Sequence, residues 1–424
     1  MTKRPYLVHF EIAASLAKTL PALVLALACI GSVASAQSEP LIARVEMQLA
    51  IGDKIVDTIR KGDMLNVVEE REDVFVISTM SGARGALDKV NALKLAEAVE
   101  IYDELIRAEP KAGQLYTMRA SAWWARGKTE EALSDFDQAI KLGYAEPHAF
   151  SSRGLFHAAM GNLNEAIADY STAIKKAKEA KDDDESPYLN RAAVYITQKS
   201  FDKAIADYTA ASELDPKNAT IYQQRAVAHK QAADLKSAVA DFTKAIELDP
   251  KNISAIMGRG YVWFQQQNHE RAIEDFGAVI AIDSDSAGAY NNRGFNYKQL
   301  GQFDKALADY DKAIELSPEY ALAHQNRGWL LATAVDSSVR DGKQAIISAK
   351  KACEINDYAR ISDLMTLAAA LSEDGNFKEA IGWQEKVIDL AQGEQKTFAE
   401  RVYAGYKQEK SFVEINKELS EDAS

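Results

Sequence analysis

Seven arginines and six aspartates recur at regular places in this chain, where they could form ion pairs or bind an anion. The arginines are Arg119, Arg153, Arg191, Arg225, Arg259, Arg293 and Arg327. The aspartates are Asp135, Asp169, Asp207, Asp241, Asp275 and Asp309. A guanidinium that lies beside packing residues requires a carboxylate partner, so the pattern predicts a series of Arg–Asp ion pairs. The alternative is a row of arginines that binds an anionic ligand, but the matched aspartates would cancel its field.

No other pattern in the sequence predicts a catalytic or metal site. Six histidines occur, His9, His148, His157, His229, His269 and His324, and none has a metal-ligand spacing such as His-Glu-x-x-His. The sequence contains no phosphate-binding glycine-rich loop and no nucleophile elbow. The acidic run at residues 182–185 is typical of a solvated loop. We therefore expect a protein that is not an enzyme and that has no cofactor and no metal ion.

The elements that must position the arginines and aspartates come from an internal repeat. In residues 289–318, Tyr290 and Tyr297 fall on one face of a first helix, and Ala306 and Tyr310 on one face of a second. The place of Ala306 recurs in Ala98, Ala132, Ala166, Ala204, Ala238, Ala272, Ala345 and Ala380. Five of the eight intervals between these alanines are 34 residues long. Because two such short helices cannot bury both faces alone, the units must stack on one another.

A period of 34 residues with this pattern of aromatic, small and proline residues resembles the tetratricopeptide-repeat (TPR) family. The resemblance implies a mainly α fold, a right-handed TPR α-solenoid of about eight helix-turn-helix repeats over residues 113–390. Residues 91–112 are expected to form an N-terminal capping helix. Residues 391–424 are expected to form a C-terminal capping helix and an acidic tail, with one amphipathic helix over residues 397–419.

The resemblance also implies where a ligand would bind. In TPR proteins the first helices line the concave face, and positions two, five, nine and twelve of each unit usually point into it. At these positions the chain has Trp124, Met257, Tyr261, Phe264, Asn291, Phe295, Lys298, Gln325 and Trp329. Rings with amide neighbours suit a protein or peptide ligand, because rings supply contact area at a low entropy cost. The alternative is that these rings pack only against adjacent first helices.

The first 36 residues resemble an export signal. Lys3, Arg4 and Lys18 supply positive charge, residues 20–30 form an apolar run, and residues 34–36 are a small-residue cleavage site. We expect cleavage at this site, a periplasmic or secreted protein, and no integral membrane segment after cleavage. Three alternatives stay open: an uncleaved membrane anchor, lipid attachment at Cys29, and a cytoplasmic protein.

The net charge of the chain argues against one class of partner, and its cysteine count argues against a disulfide. The net charge is −13, and loss of the signal removes three basic residues and one glutamate, which leaves about −15. A surface this acidic repels phosphate backbones, so we expect no nucleic-acid partner. After cleavage Cys353 is the one remaining cysteine, so no internal disulfide can form. Its place in the second-helix pattern predicts a buried, inert thiol.

Residues 37–90 have a different periodicity, with short runs of β-forming residues separated by glycine-containing turns. This pattern predicts a small β-barrel of about five strands. The strand order, with Lys61, Gly62, Asp63 and Gly85 at matching places, resembles a bacterial SH3-like domain. Ligand-binding SH3-like domains usually present several aromatic side chains, whereas Phe75 is the only aromatic residue here. We therefore expect this domain to act in packing or as a spacer.

Together these patterns predict an exported, non-enzymatic scaffold for protein–protein interaction, in which the concave face of the solenoid binds a protein or peptide. The alternative is a cell-wall-associated module, in which the SH3-like domain binds peptidoglycan and the solenoid is a spacer.

Overall fold

The computed structural model describes residues 41–51, 54–78, 84–144 and 146–421. The predicted signal peptide lies outside these residues. The chain forms two compact units, which divide the described sequence between Pro216 and Lys217. Among the described residues, no helix combines the length and the apolar character that a membrane crossing requires.

The first unit begins with short strands. They are β1 (Leu41–Ala43), β2 (Met47–Ile51), β3 (Lys54–Ile59), β4 (Met64–Glu70), β5 (Val74–Ser78), β6 (Arg84–Asp88) and β7 (Ala92–Lys94). Five of them form an antiparallel sheet in the order β6-β5-β4-β1-β7, and β2 pairs with β3. One apolar cluster holds the strands together, with Ala43, Ile59, Leu65, Ile77 and Leu87 buried in it. This curled sheet is consistent with the predicted SH3-like domain.

Nineteen α-helices follow in the described residues. The first unit contains α1 (Val99–Ala108), α2 (Gly113–Ala125), α3 (Thr129–Lys141), α4 (Pro147–Ala159), α5 (Leu163–Ala180), α6 (Ser186–Thr197) and α7 (Phe201–Leu214). The second unit contains α8 (Ala219–Gln231), α9 (Leu235–Leu248), α10 (Ile253–Gln265), α11 (His269–Ile282), α12 (Ala287–Gln299), α13 (Phe303–Leu316), α14 (Ala321–Thr333), α15 (Gly342–Ile355), α16 (Ile361–Glu373), α17 (Phe377–Leu390), α18 (Gly393–Tyr406) and α19 (Phe412–Glu421).

Helices α2 to α17 form eight consecutive helical hairpins, which we number repeats 1 to 8. The prediction of a solenoid of about eight helix-turn-helix repeats is therefore confirmed. Within the second unit each second helix packs both on its own first helix and on the next one, as α9 does on α8 and α10. This arrangement buries the apolar face that a single hairpin would leave open.

The repeated small residues are required by close contact between the two helices of a hairpin. Ala306 of α13 is fully buried. At Gly294 of α12, an added Cβ atom would lie 3.0 Å from Cε1 of Tyr310 in α13. Gly260 has the same relation to Phe276 one repeat earlier, also at 3.0 Å. The 34-residue pattern is therefore a packing pattern, in which a small residue on one helix receives a ring from the other.

The β-domain packs on the start of the solenoid through the same residues that suggested an SH3-like domain. The hydroxyl of Tyr102 in α1 donates a hydrogen bond to the carbonyl oxygen of Gly62 at 3.0 Å. Gly62 has φ +91°, and a Cβ atom there would lie 2.8 Å from Leu105. Lys61 forms an ion pair with Glu104. Helix α1, which is shorter than the predicted cap, thus joins the β-domain to repeat 1 and excludes water from that end.

The prediction of one helix over residues 397–419 is wrong, because the chain turns between α18 and α19. Glu409 in this turn has a left-handed backbone, with φ +56°. The backbone N–H of Ser411 donates to Oε2 of Glu414 at 2.7 Å, and the N–H of Glu414 lies 3.4 Å from the hydroxyl of Ser411. This reciprocal capping pair starts a new helix at Phe412.

Candidate binding face

The predicted Arg–Asp pairs are present in repeats 1 to 6. In each repeat the arginine of the first helix donates from Nε and Nη2 to both carboxylate oxygens of the aspartate 16 residues later, at 2.7–3.0 Å. All six aspartates are buried. The hydrogen bonds that Arg293 donates to Asp309 raise the pKa of Arg293, because the carboxylate stabilises the charged guanidinium. These bidentate pairs fix each first helix against its second helix.

Several of the same arginines also reach the preceding repeat. Nη1 of Arg153 donates to Asp137 in α3 at 2.7 Å, and Nη1 of Arg259 donates to Thr243 in α9 at 3.1 Å. Arg327 in repeat 7 differs, since it donates to Asp311 of the preceding repeat at 2.6 Å and to Ser348 at 2.8 Å. The arginine row therefore joins successive hairpins, and its charges have partners within the chain.

Among the residues that the structure describes, no group of three or more His, Cys, Asp or Glu side chains could hold a metal ion. Cys353 is fully buried in α15, as predicted. Burial raises the pKa of its thiol to about 12. Such a thiol stays protonated at neutral pH and is a poor nucleophile.

The predicted binding residues fall in both units. In the first unit the indole of Trp124 meets Phe156 edge to face, with 5.6 Å between the ring centroids. Both rings belong to the core of repeats 1 and 2, together with the buried Phe136. At least one face or edge of the Trp124 ring therefore packs in the core of the protein.

In the second unit, five of the predicted residues lie half-buried on the first helices α10 and α12. Phe264 of α10 meets Phe295 of α12 edge to face at 5.4 Å. Nζ of Lys298 lies 4.4 Å from the centroid of the Phe295 ring. Tyr261 lies edge to face on the buried Phe276 at 5.6 Å. We call this surface the aromatic face and define it as Met257, Tyr261, Phe264, Phe295 and Lys298.

Amide side chains hold the two helices of the aromatic face in register. Nδ2 of Asn292 donates to the hydroxyl of Tyr261 at 2.7 Å. Nδ2 of Asn296 donates to the carbonyl oxygen of Asn292 at 2.8 Å, and Oδ1 of Asn296 lies 2.8 Å from Nδ1 of His269. These bonds join α10, α11 and α12, so the rings are presented on a rigid support.

Two predicted amide residues lie inside the protein. Asn291 is 1% exposed and accepts a hydrogen bond from Asn326 at 2.9 Å. Gln325 is 3% exposed, and its amide donates to Thr366 of repeat 8 at 3.0 Å. Both amides therefore join neighbouring first helices, so their described contacts are internal.

The remaining predicted residue, Trp329, is covered by the last helix of the chain. Phe412 of α19 meets the Trp329 indole edge to face, with 5.0 Å between the centroids. Helix α19 contacts both α14 and α16, the first helices of repeats 7 and 8. Phe412 and Ile415 are buried there. We call the surface formed by the first helices of the repeats the first-helix surface. In repeats 7 and 8 helix α19 covers this surface, and the aromatic face belongs to the neighbouring repeats 5 and 6.

Lysines bring charge to the first-helix surface. Burial lowers the pKa of Lys298 to about 8, because its ammonium has lost part of its water. Lys230 in α8 holds the place that Phe264 holds in α10 and Lys298 in α12, and burial lowers its pKa as well. The sequence interpretation did not select Lys230, although the 34-residue interval to Phe264 gives the signal that would have found it.

Other residues of the site were missed for different reasons. Asn292 and Asn296 lie outside the four positions that the family pattern selects. Phe412 was hidden inside a predicted continuous helix, although Ser411 and Glu414 carry the sequence signature of a helix start.

Stacked helical hairpins joined by buried ion pairs define the protein as an α-solenoid. Sequence profiles described as tetratricopeptide repeat or TPR repeat match residues 84–147, 117–183, 192–232, 219–252, 260–301, 287–320 and 364–392. The chain belongs to the tetratricopeptide-repeat family.

Solved structures similar to the chain include the C-terminal part of a TPR repeat-containing protein from Cytophaga hutchinsonii, at 17% identity and a TM-score of 0.49, covering 55% of this chain and 94% of that one. A TPR protein from Parabacteroides merdae is 20% identical with a TM-score of 0.42, covering 64% of this chain and 99% of that one. YrrB, described as a TPR protein with an unusual peptide-binding site, is 22% identical with a TM-score of 0.39, covering 44% and 95%. No curated protein matches the chain in sequence.

Proposed function

We propose that this protein is an exported, non-enzymatic interaction scaffold that binds a protein or peptide segment on the aromatic face of repeats 5 and 6. The observation that carries the proposal is the edge-to-face pair of Phe264 and Phe295, which lies half-buried on a supported surface beside Lys298. Rings of this kind are the usual anchors of interfaces, because they bury a large area and lose few rotamers on binding.

Two further features support an interaction role. TPR proteins are generally protein-interaction modules, and here the repeated charged residues that could have done chemistry form structural ion pairs. Helix α19 already lies on the equivalent surface of repeats 7 and 8, with an aromatic residue against Trp329. A first-helix surface of this chain therefore accepts an amphipathic segment led by an aromatic side chain.

A displayed library of random 12-residue peptides tests the proposal with the full mature chain as bait. We expect wild type to enrich peptides, and we expect a Phe264→Ala, Phe295→Ala variant to bind the enriched peptides at least about tenfold more weakly. The matched control is Trp263→Ala in the same helix α10, because this ring lies under Arg271 at 4.5 Å and lines a separate cleft. No enrichment, or equal loss in the control, would contradict the proposed face.

Export is tested separately by the amino terminus of the protein isolated from its native cells. Residues 1–36 support cleavage, so we expect the isolated chain to begin at Gln37 and to occur in the periplasmic or extracellular fraction. A cytoplasmic chain that begins at Met1 would contradict export and would leave the binding proposal unaffected.

A further inference from the structure

The first helices of repeats 4 to 7 lack acidic residues. Helices α8, α10, α12 and α14 contain no Asp or Glu, although the chain has 63 acidic residues and a net charge of −13. The arginines of these helices donate to aspartates of second helices. The charges that remain for the first-helix surface are therefore those of lysines.

The lysines of this surface occupy one register position. Along repeats 1 to 7, that position holds Trp124, Ala158, Ile196, Lys230, Phe264, Lys298 and Ala332. Lys230 and Lys298 are both half-buried. In the described part of the chain neither ammonium has an acidic partner, and the structure pairs Lys298 only with the Phe295 ring. A desolvated ammonium without a counter-ion favours the binding of an anion.

The two lysines lie on either side of the central ring of the aromatic face. Helix α8 contacts α10, and α10 contacts α12 through Phe264 and Phe295. Packed helices lie about 9 Å apart, so the two ammonium groups are separated by about 18 Å across two helix spacings. An extended chain covers that distance in about five or six residues. A single carboxylate cannot reach both lysines, whereas two acidic side chains on one peptide can.

We propose that the aromatic face recognises a peptide segment with two acidic side chains about five or six residues apart, one bound by Lys230 and the other by Lys298, with an apolar side chain between them against Phe264. This proposal rests on the proposed function and specifies its ligand class. The ligand carboxylates are side chains within the segment, so a free peptide carboxyl terminus is not required. The two lysines select the spacing between the acidic side chains of the peptide, and the ring of Phe264 provides the apolar contact.

The experiment uses the peptides that the random 12-residue library enriches on the wild-type chain. We expect two Asp or Glu residues at the stated spacing, with a Leu, Ile, Met or aromatic residue between them. A parallel selection on the Lys230→Gln, Lys298→Gln variant should keep the apolar residue and lose the acidic pair. The control is Lys343→Gln, since Lys343 is an exposed lysine in α15 outside this surface.

Affinity measurements then test the pairing directly. One enriched peptide, acetylated at its amino terminus and amidated at its carboxyl terminus, is compared with a version that has Gln at both acidic positions. We expect the substitution to weaken binding to wild type by at least about tenfold, and to change binding to the double-lysine variant by less than about twofold. Equal binding of both peptides to wild type, with loss of binding in Phe264→Ala, Phe295→Ala, would overturn this proposal and leave the proposed function standing. If the wild-type chain enriched no peptide, both this proposal and the proposed function would be contradicted.

Discussion

The ring of Phe412 meets the indole of Trp329 edge to face, with 5.0 Å between their centroids, although 83 positions separate the two residues in the sequence. The contact places the last helix, α19, on the first helices of repeats 7 and 8. It therefore limits the first-helix surface that a partner can reach in the second unit. The aromatic face of repeats 5 and 6 is the adjacent part that the described residues leave half-buried.

Phe412→Ala should release α19 from this surface. Removal of a buried Phe side chain costs about 3 kcal/mol, and at the chain end this loss should act as local unfolding. We expect amide hydrogen exchange in residues 412–421 to accelerate by about two orders of magnitude, as measured by mass spectrometry. Asn416→Ala, on the exposed side of the same helix, is the control and should leave exchange nearly unchanged. Unchanged exchange in Phe412→Ala would show that the contact does not hold the helix.

The Arg293–Asp309 pair should show strong energetic coupling. Its two hydrogen bonds join a mostly buried guanidinium to a buried carboxylate, so removal of either partner leaves the other without its counter-charge. In a double-mutant cycle with alanine, the unfolding free energies should give a coupling of about 2 kcal/mol. The exposed pair Lys312–Glu315 is the control, with an expected coupling below about 0.5 kcal/mol. Additive losses at Arg293 and Asp309 would refute a paired role.

At the turns between helices, the effect of a glycine–alanine exchange on the unfolding free energy should depend only on the backbone angle φ. Gly301 has φ +70°, and an added Cβ atom would contact nothing within 4 Å. Gly301→Ala should therefore destabilise the protein by about 1 kcal/mol through backbone strain. At the equivalent turn of repeat 4, Ala233 already has φ +62°, so Ala233→Gly should stabilise by about 0.5 kcal/mol.

The control for these turns is Gly382→Ala in α17, where the glycine is helical and equally free of neighbours. There alanine should stabilise by about 1 kcal/mol, because it loses less backbone entropy on folding. Urea unfolding measures all three variants. The same sign of change at Gly301 and Gly382 would contradict strain as the cause.

Lys298 should destabilise the folded protein at neutral pH. The pKa of Lys298 is about 8 in the folded chain and 10.5 in the unfolded chain. Between pH 8 and pH 10.5 the unfolded chain therefore binds more protons than the folded chain. The unfolding free energy should therefore rise with pH from about 8 to 10.5. Lys298→Met should stabilise the protein at pH 7 by about 1 kcal/mol, since a half-buried ammonium keeps part of its water. This gain should shrink as the pH rises through that window.

Lys343→Met, at an exposed lysine of α15, is the matched control for the pH series and should show no such trend. Urea midpoints at pH 7, 9 and 10.5 supply the measurement. A gain in Lys298→Met that grows with pH would contradict desolvation of the ammonium.

The repeats and their ion pairs could be predicted from sequence because both depend on local, periodic contacts. Gly294 and Tyr310 belong to one hairpin, and Arg293 and Asp309 belong to the same hairpin. A fixed interval in the sequence therefore corresponds to a fixed distance in space, and residue type alone shows which contact is made.

Which side chains of the candidate binding face are covered could not be predicted in this way. Whether Gln325 faces a ligand or Thr366 depends on the next repeat, which has a different sequence pattern. Whether Trp329 is open depends on Phe412, whose helix departs from the repeat altogether. Periodicity correctly placed these residues on first helices, but contacts between non-equivalent elements decided which of them are covered.

The most direct test of the aromatic face as a binding site is photocrosslinking with a library-enriched peptide. The photoreactive residue p-benzoylphenylalanine replaces Phe295 in one protein and Trp263 in another, so that one probe lies on the aromatic face and the other on the far side of α10. Binding on the aromatic face predicts a crosslink to the peptide from position 295 and none from position 263. A crosslink from position 263, or none from position 295 while the peptide still binds, would contradict it.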